Sequence, residues 1–434
     1  MSGPRLNRDF PAVGTAHYGI VTPPMTPRTP PAEAAAARDA LLLGAAGALR
    51  SLCAGVTGVL LAIFLHARGW NVAEAGALVT AGLAGTAAAT LMAGLTADRL
   101  GRRRTLFVAG LLSAAGYYAA AWSPSRGVFL AAAFFGMLNG LGRDRGPAYA
   151  LEQAMLPQTV APERRTWALA WYSLALDAGL ALGSLLAAAP YWLAARGGDL
   201  LAGFQSVWIF CAALSVCSAA LSLLLSRGVE APPPAALRAA PVSPESRRRI
   251  AGLAALTGMD SLGGGFLTGA LVSYWFFARF HVGGEWLGPL FFAARLANAA
   301  SHLVAAWLAA RIGLLNTMVW THIPSSLFLI AVPFAPDPGW AAALFLAREA
   351  LVEMDVPTRQ SYILAVVQPE ARAFASGMTT FTRNVAYAAA PVAAGWAMSG
   401  VALASPLFLG AGIKIAYDLL LYFSFRRIRP PEEN

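Results

Sequence analysis

Apolar runs of about 20 residues recur along the whole chain, broken by short polar stretches. Twelve segments can be drawn, at roughly 41–66, 74–97, 105–122, 127–156, 166–189, 202–226, 250–277, 285–309, 315–335, 339–367, 373–399 and 403–425. Most reach the ~20 residues that a helix needs to cross a hydrocarbon core. Small residues four apart, such as Gly136/Gly140, Gly179/Gly183 and Gly265/Gly269, are expected to let helices approach closely in lipid. Between the sixth and seventh segments, Arg227 to Arg249 are rich in Pro, Ser and charge, which predicts a solvated linker over 227–249. It divides the chain into six-helix units at 39–226 and 250–428. Residues 1–38 are rich in Pro and Ala and lack an apolar h-region, so a disordered cytoplasmic tail is expected rather than a signal peptide. Met25 within it is a second candidate start.

The two halves carry matching marks. "GLTADRLGRRRT" after the second segment aligns with "AWLAARIGLLNT" after the eighth, placing Arg99 on Arg311 and Gly101 on Gly313 at an offset of 212. "PERR" at Pro162 aligns with "PEAR" at Pro369, 207 residues on, and Ala67–Arg68 aligns with Ala278–Arg279, 211 residues on. Three matches in order predict a duplicated unit, the architecture of secondary transporters with a substrate site at midplane between the halves. The expected fold class is an all-α membrane protein with twelve transmembrane helices in two pseudo-symmetric six-helix bundles.

Composition agrees. The chain is 57% hydrophobic and 12% charged, with mean hydropathy +0.57; a soluble domain carries about 25% charge. The net charge of +10 is almost all arginine, with Lys414 the only lysine. Its placement makes it a topology signal. With the N-terminus inside, the inner loops receive Arg99, Arg102, Arg103, Arg104, Arg164, Arg165, Arg227, Arg247, Arg248, Arg249, Arg311 and Arg372, while the outer loops receive Arg68, Arg126, Arg196 and Arg279. Both termini are expected in the cytoplasm, the chain in the cytoplasmic (inner) membrane, and no nucleic-acid partner. Cys53, Cys211 and Cys217 are dispersed in apolar segments, which predicts neither a disulfide framework nor a soft-metal site.

Charges inside the apolar segments are the candidate chemistry: Arg50, Arg143, Asp144, Arg145, Glu152, Asp177, Asp260, Arg295, Arg348, Glu349, Glu353, Asp355 and Arg383. A charge at bilayer centre costs about 2.5–3.5 kcal/mol on insertion scales, so such residues are expected in pairs or facing a cavity. At the repeat offset of 210, Arg50 falls on Asp260, Arg143 on Glu353, Arg145 on Asp355 and Pro147 on Pro357. One half is basic where the other is acidic, which predicts an acidic wall facing a basic wall across an aqueous cavity. The swap Arg50→Asp with Asp260→Arg is the expected test of whether that first couple pairs. Asp260 and Glu353 lack a clear same-helix partner of opposite charge and are the leading coupling candidates. Asp177, in "SLALDAGLALGS", is expected to pair with Arg143, Arg145 or Arg383. Tyr172, Tyr274, Trp275, Tyr362 and Tyr387 are candidates for the cavity lining. His302 and His322 stand alone and are expected to be no more than hydrogen-bonded.

The stretch "GLTADRLGRRR" resembles the helix 2–3 loop signature of the major facilitator superfamily, matched at Gly94, Asp98, Arg99, Gly101, Arg102 and Arg103. The degenerate copy near Arg311, with Ala310 in place of the Asp, is typical of that family. "MDVPTRQSY" and "DSLGGGF" are also similar to an uncharacterised prokaryotic branch of it. The resemblance spans about 40 to 428 and implies rocker-switch alternating access, with helices 1, 4, 7 and 10 lining the central cavity. Independently of the family, Gly94 and Gly101 suit a tight turn, and Asp98 is expected near the cytoplasmic start of a neighbouring helix, where its dipole favours an anion. Such a loop would be a gating latch.

No nucleophile–base pair, metal cluster or nucleotide-binding motif is present in the sequence, so no enzyme activity and no cofactor are expected. The expected function is secondary active transport of a small solute by a monomer, proton-coupled and directed outward. Uptake or facilitated diffusion, and a transporter-fold receptor or lipid scramblase, stay open as alternatives.

Overall fold

The computed structural model describes residues 30–123, 125–143, 146–161, 164–230, 244–354 and 372–425. Among these, every regular element is helical. The first half comprises α1 (Pro30–Ala67), α2 (Val72–Leu100), α3 (Arg102–Trp122), α4 (Arg126–Phe135), α5 (Pro147–Met155), α6 (Arg165–Leu186), α7 (Ala189–Ala195) and α8 (Leu200–Leu223). The second comprises α9 (Pro244–Phe266), α10 (Gly269–Phe280), α11 (Gly284–Ile312), α12 (Leu314–Ala331), α13 (Pro338–Val352), α14 (Arg372–Gly400) and α15 (Ser405–Phe425). Eight spans among the described residues are long and apolar enough to cross a membrane. Large apolar side chains such as Trp167, Trp171, Phe334, Trp396 and Phe423 lie on the outer surface, as lipid rather than water would favour.

Three expectations about the helices change. α1 starts at Pro30, so its first turns run through the stretch expected as a tail. The fourth segment is not one helix: α4 ends at Phe135, and the chain resumes as α5 at Pro147. Four glycines, Gly136, Gly140, Gly142 and Gly146, weaken the helix there, and Pro147 starts the next at its first position. Met137 (φ 56°) and Gly142 (φ 74°) turn the backbone left-handed. The opened backbone groups find partners: Leu141 N donates to Asn139 Oδ1 (3.1 Å) and Gly140 O accepts from Ala270 N (2.9 Å). The seventh segment likewise breaks, between Phe266 and Gly269.

The halves meet at the end of the bundle that carries the α1–α2 turn. Gly76 lies so close to Pro391 that a Cβ would stand 2.3 Å from its carbonyl oxygen, and Gly395 faces Val72 O in the same way at 2.5 Å. Gly269 packs on Gly58, and Gly284 and Gly288 on Ala187 and Ser184. Ser273 Oγ donates to Val59 O (2.7 Å) and Val392 N to Thr80 Oγ1 (3.0 Å), both between halves. Small residues thus seal this end by backbone-to-backbone contact. Within the first half, Gly179 and Gly183 bring α6 onto Ala48 and Leu52 of α1.

Candidate functional site

Beneath the seal lies a cleft between the halves. Its larger lobe has a volume of about 780 Å³ and is lined mainly by the second half, with Arg143 reaching in from the first. A second lobe, about 610 Å³, is lined by the first half, including Cys53, Tyr117, Met137 and Asn139. Arg143 borders both. It sits next to Gly142, which packs on Gly58, nine residues from the end of α1. At 1.5 Å per residue that is ~13 Å below the sealed end, close to the middle of a ~30 Å core.

The unwound stretch after α4 puts the Arg143 guanidinium opposite the end of α13, where Glu353 is the C-cap. The pair is bidentate: Nη1 to Oε2 is 2.9 Å and Nη2 to Oε1 is 2.5 Å. Arg143 and Glu353 hold matching positions of the repeat, and two such positions can touch only near the pseudo-twofold axis. Arg143 Nη2 (3.3 Å) and Arg295 Nη1 (3.5 Å) also converge on Asn298 Oδ1. The Asn298 amide is oriented by donating to Glu349 O (2.7 Å) and Glu349 Oε2 (2.9 Å). Glu349 in turn pairs with Arg348. Asp177, half-buried on α6, acts electrostatically on Arg143 and Arg295.

Arg50 and Asp260, also counterparts in the repeat, do not pair with each other in this conformation. Arg50 pairs with Glu152, whose carboxylate also accepts from Tyr172 Oη (2.7 Å), and Arg50 reaches Ser218 Oγ (3.3 Å). Asp260 accepts from Lys414 Nζ (2.8 Å). Each partner lies in the same half, because these positions sit on the bundle's inner face away from the axis. Lys414 Nζ also lies 3.3 Å from His322 Nε2, and His322 Nδ1 lies 3.0 Å from both oxygens of Asp418. His322 is therefore hydrogen-bonded, as expected, but it is one link of a buried chain from Asp418 to Asp260 at the cavity wall. Lys414 and Asp418, four apart in an otherwise apolar span, were the sequence signal for it.

Other expectations shift. Tyr274 and Trp275 do not line the cleft: Trp275 is buried against Phe276 and Phe280, and Tyr274 against His66 and Phe277. They lie on the sealed side, where α10 is enclosed; of the five aromatic candidates, Tyr387 lines the cleft. Gly94 lies inside α2 with open space around it, not in a turn, whereas Gly101 turns the chain at φ 96°. Asp98 does not cap the neighbouring helix. It is 42% exposed and pairs with Arg102 one turn on (2.8 Å). The anion at the start of α3 is Glu230 of the linker, which accepts from Arg102 N (2.6 Å) and Arg103 N (3.3 Å). Arg103 in turn donates to Leu223 O at the end of α8, and Arg99 is exposed. Asp144, Arg145, Asp355, Pro357, Arg359 and Tyr362 lie outside the described residues, as does the side chain of His302.

Comparison with known proteins places this geometry. A Saccharomyces cerevisiae protein described as an uncharacterized membrane protein is 26% identical over 423 residues, covering 90% of this chain and 94% of the relative. The likeness thus extends beyond prokaryotes. Among solved structures, the nucleoside transporter NupG superposes with TM-score 0.68 at 13% identity, covering 89% of this chain and 99% of NupG. The xylose transporter XylE of E. coli, in a partially occluded inward-open conformation, gives 0.64 at 14% identity over 92% of this chain and 99% of XylE. A bacterial homologue of the human lysosomal transporter Spinster, inward-facing and unoccupied, gives 0.64 at 15% identity over 92% of this chain and 96% of that one. The Major Facilitator Superfamily profile matches residues 43–391, most of the length, and the chain belongs to that family as a multi-pass membrane transporter, not an enzyme.

Proposed function

We propose that this protein is a proton-coupled secondary transporter that exports a small solute across the cytoplasmic (inner) membrane. Both termini lie in the cytoplasm, and a single chain is the working unit. The observation that carries the reading is the bidentate Arg143–Glu353 pair, the ionic link between the halves directly beneath their seal. When the halves rock, that link must break. A carboxylate that is paired in one conformation and without its cation in the other differs between them in proton affinity, which is what coupling to a proton requires. The chain Asp260–Lys414–His322–Asp418 supports the same reading. The chain joins a carboxylate at the cavity wall to three further groups able to exchange protons.

The direction rests on orientation. The close contacts between the halves cluster at the end bearing the α1–α2 turn, so we take the cleft to open at the opposite end, which bears the α2–α3 turn and the linker, where arginines concentrate; positive loops stay inside. A cavity resting open to the cytoplasm is loaded from there. In the opposite state we assign the loop at Asp98, Arg99, Gly101, Arg102 and Arg103 the role of closing the cytoplasmic end.

Reporter fusions after Arg104 and within 228–248 should be cytoplasmic, and fusions near Ser123 and Asp199 external; the reverse pattern would overturn the orientation and the direction. For coupling, the purified protein in vesicles should move protons with its solute, and Glu353→Gln should keep solute exchange while losing gradient-driven accumulation. Full accumulation by Glu353→Gln and by Asp260→Asn would overturn proton coupling.

A further inference from the structure

Among the described residues, charges around the larger lobe do not balance. Three described carboxylates line it, and each has a cation: Glu353 has Arg143, Glu349 has Arg348, and Asp260 has Lys414. Arg295 remains. Among the described residues no carboxylate lies within ion-pair distance of it, and its single hydrogen bond is the 3.5 Å contact to Asn298 Oδ1. That oxygen is shared with Arg143, so two guanidiniums point at one neutral acceptor. Arg348 is near enough for the positive charges of all three arginines to act on one another. Three guanidiniums thus face two carboxylates and an amide, with Asp177 on α6 acting on Arg143 and Arg295 from beyond ion-pair distance. Guanidinium groups drawn together in a partly desolvated cleft repel, and an oxyanion placed among them relieves the repulsion and satisfies forked N–H groups in pairs. A bound ammonium would find, among the described lining residues, no carboxylate without a cation already on it.

Resting on the transporter reading above, we propose that the cargo is an organic anion. Its carboxylate or phosphate is held by Arg295 together with Arg143 and Arg348, and its uncharged body lies toward the lobe lined by Cys53, Tyr117 and Met137. Arg143 borders both lobes, so a ligand spanning them touches the arginine whose bond to Glu353 joins the halves. Anion binding then competes with Glu353 for Arg143. That ties occupancy to the strength of the link that must break for the halves to rock. Export of an anion and entry of a proton both move positive charge inward, so an inside-negative potential drives both in this orientation.

The test is ligand binding to the full-length protein in detergent, by thermal shift and by quenching of tryptophan fluorescence. The probes are benzoate, succinate and phenyl phosphate, against benzamide, uridine, xylose and phenylalanine. At least one anion should raise the melting temperature and quench fluorescence, its affinity falling as ionic strength rises. The carboxylate and phosphate probes identify which oxyanion is preferred. Arg295→Gln should weaken that binding about ten- to hundredfold, which is one to two steps of 1.4 kcal/mol. Arg126→Gln, at the outer surface, should leave binding unchanged. Uridine, xylose or phenylalanine binding as well as any anion would overturn the proposal, as would an anion binding equally to Arg295→Gln, or no anion binding at 10 mM (about 100-fold above a 0.1 mM site). The two readings separate cleanly. A neutral solute accumulated under a pH gradient refutes the anion and keeps the transporter; Arg295-dependent anion binding without flux refutes the carrier and keeps the site.

Discussion

Arg50 on α1 and Asp260 on α9 occupy matching places in the two halves, yet they are held in different ways. Arg50 forms a direct ion pair with Glu152, whose carboxylate also accepts from Tyr172. Asp260 faces Lys414, behind which stand His322 and Asp418, four titratable groups in one buried row. The first arrangement is a fixed tie between spans 1 and 4. The second can redistribute protons without breaking its geometry. Duplication supplied the same scaffold twice; side-chain replacement made one copy a brace and, on the function proposed above, the other a relay. A third pair, Arg143 with Glu353, joins the copies.

Breaking the brace should have the largest effect on stability. Glu152 is 1% exposed, so Glu152→Gln removes a buried charge from the bidentate pair with Arg50, a loss of up to about 3–5 kcal/mol. Poor yield and an early melting transition in detergent should follow, and Arg50→Met combined with Glu152→Leu should recover most of the loss. A normally stable Glu152→Gln would remove the distinction between brace and relay.

On the relay side, Asp260→Asn should be better tolerated than Glu152→Gln, because Lys414, unlike Arg50, can give up its charge by releasing a proton while keeping its contact to His322. Gradient-driven accumulation should fall at least tenfold (about 1.4 kcal/mol in driving free energy) while exchange persists. Measuring both in the same vesicles distinguishes a coupling role from damage.

The link between halves is tested by accessibility. With Cys53, Cys211 and Cys217 replaced, a cysteine at Ala75, which is 2% exposed at the seal, should react slowly with a soluble maleimide. Adding Glu353→Gln should speed labelling a few-fold, corresponding to about 1 kcal/mol in the balance of conformations. An unchanged rate would make the pair irrelevant to the seal.

The smallest effects are expected at the α2–α3 turn. Glu230→Gln removes the carboxylate over the start of α3 and should lower stability by about 1 kcal/mol. Asp98→Asn loses only an exposed pair, worth ~0.5 kcal/mol or less. It should lower transport while stability and yield persist, through the state in which the cytoplasmic end is closed. If cysteine labelling at the cytoplasmic mouth is the same in Asp98→Asn, that latch role is wrong.

Much of this was legible along the chain. Membrane class, helical segments, the duplication and its offset follow from hydropathy, charge placement and local motifs, because spanning lipid forces long apolar helices and leaves charge only where it is paired or wetted. The same rule singled out the buried charges as the chemistry. What tertiary structure alone decided was who pairs with whom. Arg143 meets its own repeat counterpart, Glu353, because both lie near the axis between the halves; Arg50 and Asp260 lie off it and turn to Glu152 and Lys414. The break after α4 depended on glycine faces of α1 and α2 closing on the unwound backbone, and the cap on α3 on a linker residue 128 positions away. Sequence periodicity fixes which face of a helix a side chain occupies, but the depth and rotation of each helix against its neighbours are set by packing between segments far apart in the chain.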